Sequence, residues 1–296
     1  MTELKDIQRI ECLMLDEFAR VCKENNLTWF ADSGTLLGAI RHKGFIPWDD
    51  DVDVVMPRKD YNRLIELGNS IFKQPFFLQT HLTDKECSYN VQLRYTNSAK
   101  IRQFELSDFY RPEGKHFSSN KGIAMDICPI DHVPNNEKEI TVISKAIKFC
   151  LHYCSQRLLT YMEYNKYLNV DDYTHAMIFL NNTLTKIDEV NKQSGTMACT
   201  TWWGINQYTG CRVNSSCYDS SIEADFDGCK EKVSLPVGWH EILTAYYGDY
   251  MKEKKGGSLH EIAKKDVLFD VNHSYIEYEK LTNDEILALM KANKTI

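Results

Sequence analysis

Asp32-Ser-Gly-Thr-Leu-Leu-Gly-Ala-Ile-Arg-His-Lys-Gly-Phe-Ile-Pro-Trp-Asp-Asp-Asp-Val-Asp-Val-Val-Met56 is the stretch on which the reading of this chain turns. It joins a turn of small residues, Ser33-Gly34-Thr35, through a short basic segment, Arg41-His42-Lys43, to the acids Asp49, Asp50, Asp51 and Asp53. Acids packed this densely repel one another, and a fold tolerates them only with solvent or a cation at hand. In a β-strand, residues two apart share a face. Asp51 and Asp53 are therefore expected to point one way while Val52 and Val54 enter the core. Paired carboxylates at a strand edge form a hard-oxygen site for Mg²⁺ or Mn²⁺, which in turn binds phosphate. The chemistry implied is phosphoryl transfer.

Other readings of the same acids are less consistent with what surrounds them. A solvated acidic loop would not run into Val52, Val54, Val55 and Met56. An EF-hand starting at Asp49 would need glycine where Val54 stands and glutamate where Asp60 stands. A DxD glycosyltransferase, with Asp51 and Asp53 holding the metal of a nucleotide-sugar, stays open.

The 296 residues suffice for one large or two modest domains, and 43% hydrophobic with 26% charged residues is ordinary globular composition. A net charge of −7 without a basic block argues against nucleic acid as partner. The charged N-terminus lacks a signal-peptide core, and no apolar run approaches the ~18 residues of a membrane helix. Ten cysteines scattered through apparent helices and strands read as buried thiols of a reducing compartment. The expectation is a cytoplasmic protein.

Apolar residues at three- and four-residue spacing predict a helix over 3–24. Leu27 to Ala31 reads as a first strand, followed by a short helix from Leu36 to Arg41 capped by Ser33 or Thr35, whose free N–H groups suit a phosphate. Pro57 ends the acidic strand. A helix is expected from Lys59 to Ile71, a strand at Phe76 to Gln79, and two strands between Tyr89 and Phe104. Ile123 to Cys128 is a strand closed by Pro129, and it sets Asp126 among apolar residues as the natural third acid. Helical patterns follow over Glu137 to Tyr167 and Tyr173 to Lys192, a loop-rich stretch over 194–235, and helices at Trp239 to Tyr247 and Asp284 to Ala292. Periodicity alone supports α/β or α+β.

The run from Gly34 to Asp53 resembles the signature of the LicD family, bacterial phosphocholine transferases of surface glycans with more distant fukutin-type relatives. Met125-Asp-Ile-Cys-Pro-Ile-Asp131, Phe226-Asp-Gly228 with Leu235-Pro-Val-Gly-Trp239, and Leu243 to Met251 agree in order along the chain. The resemblance covers most of residues 5–265. It implies an α+β, nucleotidyltransferase-like core over residues 1–135, with a small mixed sheet flanked by helices. Residues 136–296 would form a helical and loop-rich portion packed on that core. It also implies CDP-choline, or a related CDP-alcohol, as donor, with CMP released and a glycan or glycolipid hydroxyl as acceptor; a lipid-linked acceptor would bring the protein to the inner face of the membrane. An ordinary nucleotidyltransferase and a degenerate nucleotide- or glycan-binding protein are the competing classes.

On this reading Asp51, Asp53 and Asp126 carry the metal and the chemistry. Asp49 is a further ligand, and Asp50 faces away. Ser33, Gly34 and Thr35 approach phosphate, and Arg41, His42, Arg58, Arg94 and Lys121 supply cations to the diphosphate. A quaternary ammonium is bound by aromatic faces, for which Trp48, Trp202, Trp203, Trp239, Tyr246 and Tyr247 are available. Cys199, Cys211, Cys217 and Cys229 lack the short Cys-x₂₋₄-Cys pairs of structural zinc sites, so no zinc is expected.

Overall fold

Alternating Phe30-Ala31 and Val54–Met56 let two short segments pair at the edge of a sheet whose other strands come from later in the chain. In this computed structural model the described residues are 2–84, 91–106, 116–117, 119–147, 170–199, 211–253, 266–292 and 294–296. Trp202, Trp203 and residues 148–167 of the helix expected from Glu137 lie outside them.

Helix α1 (Leu4–Glu24) presents Ile7, Ile10, Met14, Phe18 and Val21 to the core. Strand β1 (Phe30–Ala31) leads into α2 (Ser33–Arg41), then β2 (Asp53–Pro57) and α3 (Arg58–Leu67). Next come β3 (Phe76–Gln79), β4 (Val91–Tyr95), β5 (Ala99–Arg102) and the long β6 (Ile123–His132). Helical residues 137–147 (α4) and α5 (Val170–Asn191) follow. The remainder is β7 (Thr196–Cys199), β8 (Val213–Asn214), β9 (Ser221–Ala224), β10 (Val233–Pro236), α6 (Trp239–Tyr247), β11 (Val267–Asp270) and α7 (Asn283–Ala292).

The main sheet runs β1-β2-β6-β4-β3, with β7 and β8 added beside the far half of β6. Among the described residues, only β2 and β6 run parallel; the other pairs in this sheet are antiparallel. The architecture is therefore α+β, a mixed sheet flanked by helices. One face packs Val54, Met56, Leu93, Met125 and Ile127 with α1, while the other buries Phe30, Val55, Cys128, Ile130 and Met197. Chain beyond residue 136 contributes β7 and β8 to this same sheet, and β11 pairs with β5. The last residues pack Tyr278, Ile286 and Met290 on Ile101 and Leu268 as a separate small core.

Several local expectations are corrected. Strand β1 is two residues long rather than five, because only Phe30 and Ala31 find partners on β2. Strand β2 begins at Asp53, so Asp51 stands in the preceding turn, exposed, and does not share a strand face with Asp53. Asp50 is buried. The N-cap of α2 is Asp32, not Ser33 or Thr35. Helix α3 stops at Leu67 and a 3₁₀ turn continues to Ile71. Among its described residues, the stretch over 194–236 holds four short strands.

Strand β6 runs through Pro129 to His132, past its expected end. Asp126 N–H donates to Val52 O on the β2 side, so odd-numbered positions of β6 direct their amides to the opposite side. There β4 ends its pairing at Ile127 and β7 begins at Ile130, leaving Pro129 at the changeover where no donor is needed.

Candidate active site

Three backbone segments are pinned together where β2 begins. Asp32 N–H donates to Asp53 O at 3.1 Å, Asp53 N–H to Thr35 Oγ1 at 2.9 Å, and Asp126 N–H to Val52 O at 3.0 Å. The turn into α2 requires Ser33 to adopt φ +47°, a left-handed conformation costly for a residue with a Cβ. Such strain persists only where the surroundings impose it.

Parallel pairing sets Asp53 level with Asp126, and the antiparallel pairing on the other side sets Gln92 level with Asp126. The three side chains thus lie in a row across adjacent strands, on the face away from α1. Gln92 Nε2 donates to Asp126 Oδ1 at 2.6 Å. Behind it Arg94 donates to Gln92 and to Gln79, and Gln79 donates to Asp84. This buried polar chain fixes the amide that orients Asp126.

The acids crowd one another. Burial pushes the Asp53 carboxyl well above its ordinary range, and the fields of Asp51, Asp126, Asp32 and Asp49 add to it. Asp49 is pushed up to about 8, first by burial, then by the charge of Asp51 and by a hydrogen bond with it. Asp51 is raised by partial desolvation, against the Asp49 hydrogen bond and the Lys100 ammonium, which lower it. Each of Asp49 and Asp51 thus resists ionising beside the other, as closely placed carboxylates do. The Asp49 carboxylate also reaches α2: a Cβ built on Gly34 would stand 2.6 Å from Asp49 Oδ2. The flank of Gly34 that the sequence assigns to phosphate is thus taken by a side chain of the same signature.

Helix α6 packs its last turn against this region. The Tyr246 hydroxyl lies beside the Asp32 carboxylate and that of Tyr247 beside Ser33. Burial raises the Tyr247 hydroxyl, and the fields of Asp32, Asp53 and Asp49 follow, which puts this partly exposed ring next to the acids. The two tyrosine rings meet edge to face at 6.1 Å. Trp48 and Trp239 are half-buried and pack against the main core.

The expected cations divide. Arg41 Nε donates to His42 Nε2 at 2.9 Å, and its Nη1 holds the Tyr250 carbonyl at 2.7 Å, tying the signature to the segment after α6. Burial, then the Arg41 charge, lower the His42 pKa. Arg94 serves the Asp126 network. Arg58 is spent on Asp131 and Lys121 on Glu105, both in buried ion pairs. Sequence reasoning missed Lys100, buried on β5 with its ammonium 5.3 Å from the Phe269 ring and its field on Asp51. It also missed Gln92, which the two-residue spacing to Arg94 could have flagged. Asp32 was quoted but not weighed; buried, with Oδ1 lacking a hydrogen bond, it is pushed up to about 6 by that burial. Glu11 was missed too, although a glutamate four residues from Ile7 and three from Met14 falls on the apolar face of α1.

Among the described residues, no three His, Cys, Asp or Glu side chains are gathered closely enough to hold a metal as they stand. The donor chemistry nevertheless fits Mg²⁺ or Mn²⁺, because every group is a carboxylate and the mutual repulsion is what a divalent cation relieves. Of the four cysteines weighed for zinc, Cys199 neighbours Cys128, Cys229 neighbours Cys12, Cys217 lies in the core and Cys211 donates to Ala245 O. Among the described residues no helix is long and apolar enough to cross a membrane.

Residues 26–152 match the nucleotidyltransferase domain of LicD/FKTN/FKRP, a span that contains β1, α2, β2, β4 and β6. Over 260 residues the chain is 31% identical to the lipopolysaccharide cholinephosphotransferase LicD of Haemophilus influenzae, covering 83% of this chain and 90% of that protein. Uncharacterized proteins of Rickettsia prowazekii and Rickettsia typhi are each 48% identical over 48 residues, 16% of this chain and 18% and 15% of theirs. With a likeness that spans nearly the whole of a named transferase, and an acidic row on the strands of the matched domain, the chain belongs to the LicD family.

Proposed function

We propose that this protein transfers phosphocholine from CDP-choline to a hydroxyl of a lipopolysaccharide-type glycan and releases CMP. The observation that carries the reading is the register of Asp53 with Asp126, beside the tyrosines of α6, in a chain alike over most of its length to a lipopolysaccharide cholinephosphotransferase. Asp53 and Asp126, with Asp49 and Asp51, are the residues to hold Mg²⁺ or Mn²⁺. When bound, such a cation neutralises charge on the diphosphate and on the departing CMP. Asp126 Oδ1 is held by Gln92, which leaves Oδ2 to take the acceptor's proton. The acceptor oxygen–phosphorus bond forms as the phosphorus–oxygen bond to CMP breaks. Tyr247 and Tyr246 offer aromatic faces to the trimethylammonium, with Asp32 and Asp49 as nearby acids. Arg41 and His42, at the end of α2, are the cations of the signature nearest the late segment.

The test is a thermal-shift panel of CDP-choline, CDP-ethanolamine, CDP-ribitol, CDP-glycerol and UDP-sugars with Mg²⁺, paired with CMP release. CDP-choline should give the largest rise in Tm, since a ligand of the native state stabilises it by mass action. A larger response to CDP-ribitol or CDP-glycerol would move the protein to polyol-phosphate transfer, and a response to UDP-sugars alone would overturn the reading.

A further inference from the structure

Glu11 sits in the middle of α1, fully buried, and neither carboxylate oxygen has a hydrogen-bond partner among the described residues. A buried carboxyl without hydrogen bonds is costly, and a native fold that keeps one needs a reason. Packing is not the reason, because an aliphatic side chain at this core position would serve it better. The surroundings point elsewhere. One turn earlier on the same helix face, Gln8 Nε2 donates to the Asp49 carbonyl at 2.9 Å, so this face of α1 lies against the acidic turn. Beyond burial, the fields of Asp51, Asp50 and Asp49 all bear on Glu11, with the Lys100 ammonium opposing them. Its two oxygens therefore lie within the field of a region already rich in negative charge, where a hydrogen-bond donor would be the ordinary solution and none is found among the described residues.

We propose that Glu11 is a ligand of a divalent cation at the Asp49–Asp51 turn, supplied by α1 from outside the signature. The acids of the site then form two lobes. Asp53 and Asp126 lie on the sheet face away from α1, Glu11 lies on the α1 side, and the Asp49–Asp51 turn stands between. A divalent cation satisfies both Glu11 oxygens and offsets the repulsion that the turn otherwise sustains. This inference rests on the divalent-cation reading of the site.

Titration calorimetry with MnCl₂ alone, on the full chain without nucleotide, tests it in the native protein and in Glu11→Gln, Glu11→Asp and Asp53→Asn. Glu11→Gln should bind Mn²⁺ at least tenfold more weakly and lose most of the Mn²⁺-induced rise in Tm. Glu11→Asp, which keeps the charge but retracts it by one methylene, should fall between the two. Native-like Mn²⁺ affinity in Glu11→Gln, with binding lost in Asp53→Asn, would overturn the role of Glu11 and leave the metal reading standing. Should Glu11→Gln fail to fold, native-like affinity in Glu11→Asp overturns it equally. Absence of Mn²⁺ binding by the native protein would remove both.

Discussion

Replacing Arg58 with methionine should unfold this protein more readily while leaving its use of the donor intact. Arg58 opens α3 and is 2% exposed. Its Nε and Nη2 donate to Asp131 Oδ1 and Oδ2 at 2.5 and 2.6 Å, and Nη1 donates to Asn181 Oδ1 at 2.9 Å. The pair thereby ties α3 to β6 and α5. Removing the guanidinium leaves the Asp131 carboxylate, 1% exposed, without its two-pronged partner. Breaking a buried ion pair from one side costs about 3–5 kcal/mol. For a chain of this size each kcal/mol lowers Tm by roughly 2 °C, so a fall of about 6–10 °C is expected. The double variant Arg58→Met with Asp131→Leu should recover most of it, because an apolar pair avoids the stranded charge. Calorimetric Tm and the KM for CDP-choline are the measurements. An unchanged Tm with a donor KM raised tenfold would refute this account and return Arg58 to the phosphate.

Four further outcomes follow from the site and its supports. Asp53→Asn and Asp126→Asn should each lower kcat by ~10²-fold or more, and for Asp53→Asn the Tm should hold or rise as repulsion is relieved; turnover near that of the native protein would contradict their role. Gly38→Ala should destabilise the fold by about 1–3 kcal/mol, read as a lower Tm, because its Cβ would meet the Gly44 carbonyl at 2.4 Å. Gly34→Ala should instead cost activity more than stability, since the atom it meets is the movable end of Asp49. For Asp32, a folded pKa of about 6 against an ordinary 3.8 means that the native state holds its proton more tightly than the unfolded chain. Stability is unpenalised below pH 3.8, falls as pH rises toward 6, and stays lower above it, by about 3 kcal/mol in all. Asp32→Asn should match the native protein near pH 4 and exceed it in Tm at pH 7–8, whereas parallel Tm curves would contradict the shift.

Much of the scaffold was legible in local pattern. The helix of residues 3–24, the strand Phe76–Gln79 and the helix Trp239–Tyr247 emerge at or within a residue of their predicted bounds, because apolar spacing and flanking glycines and prolines act over a few residues. Val52 and Val54 enter the core as the alternation requires. The acidic signature was equally plain as chemistry, since residue type alone makes it a hard-oxygen cluster. What sequence could not order was which acids meet. Asp53 stands level with Asp126 through a parallel pairing across more than seventy residues, a register set by the whole sheet. Asp51 lies ahead of the strand because the register of β2 with β6 starts at Asp53, and Asp49 turns onto Gly34 because α2 is docked there. Arg58 and Lys121 look like phosphate ligands until their buried partners, Asp131 and Glu105, are brought to them by distant segments. The residues after 266 carry no usable motif, yet close a core on β5, since burial depends on what lies opposite and not on local pattern. Composition and spacing determined the elements and their chemistry. Only tertiary structure, through long-range register and burial, decided which charges face one another.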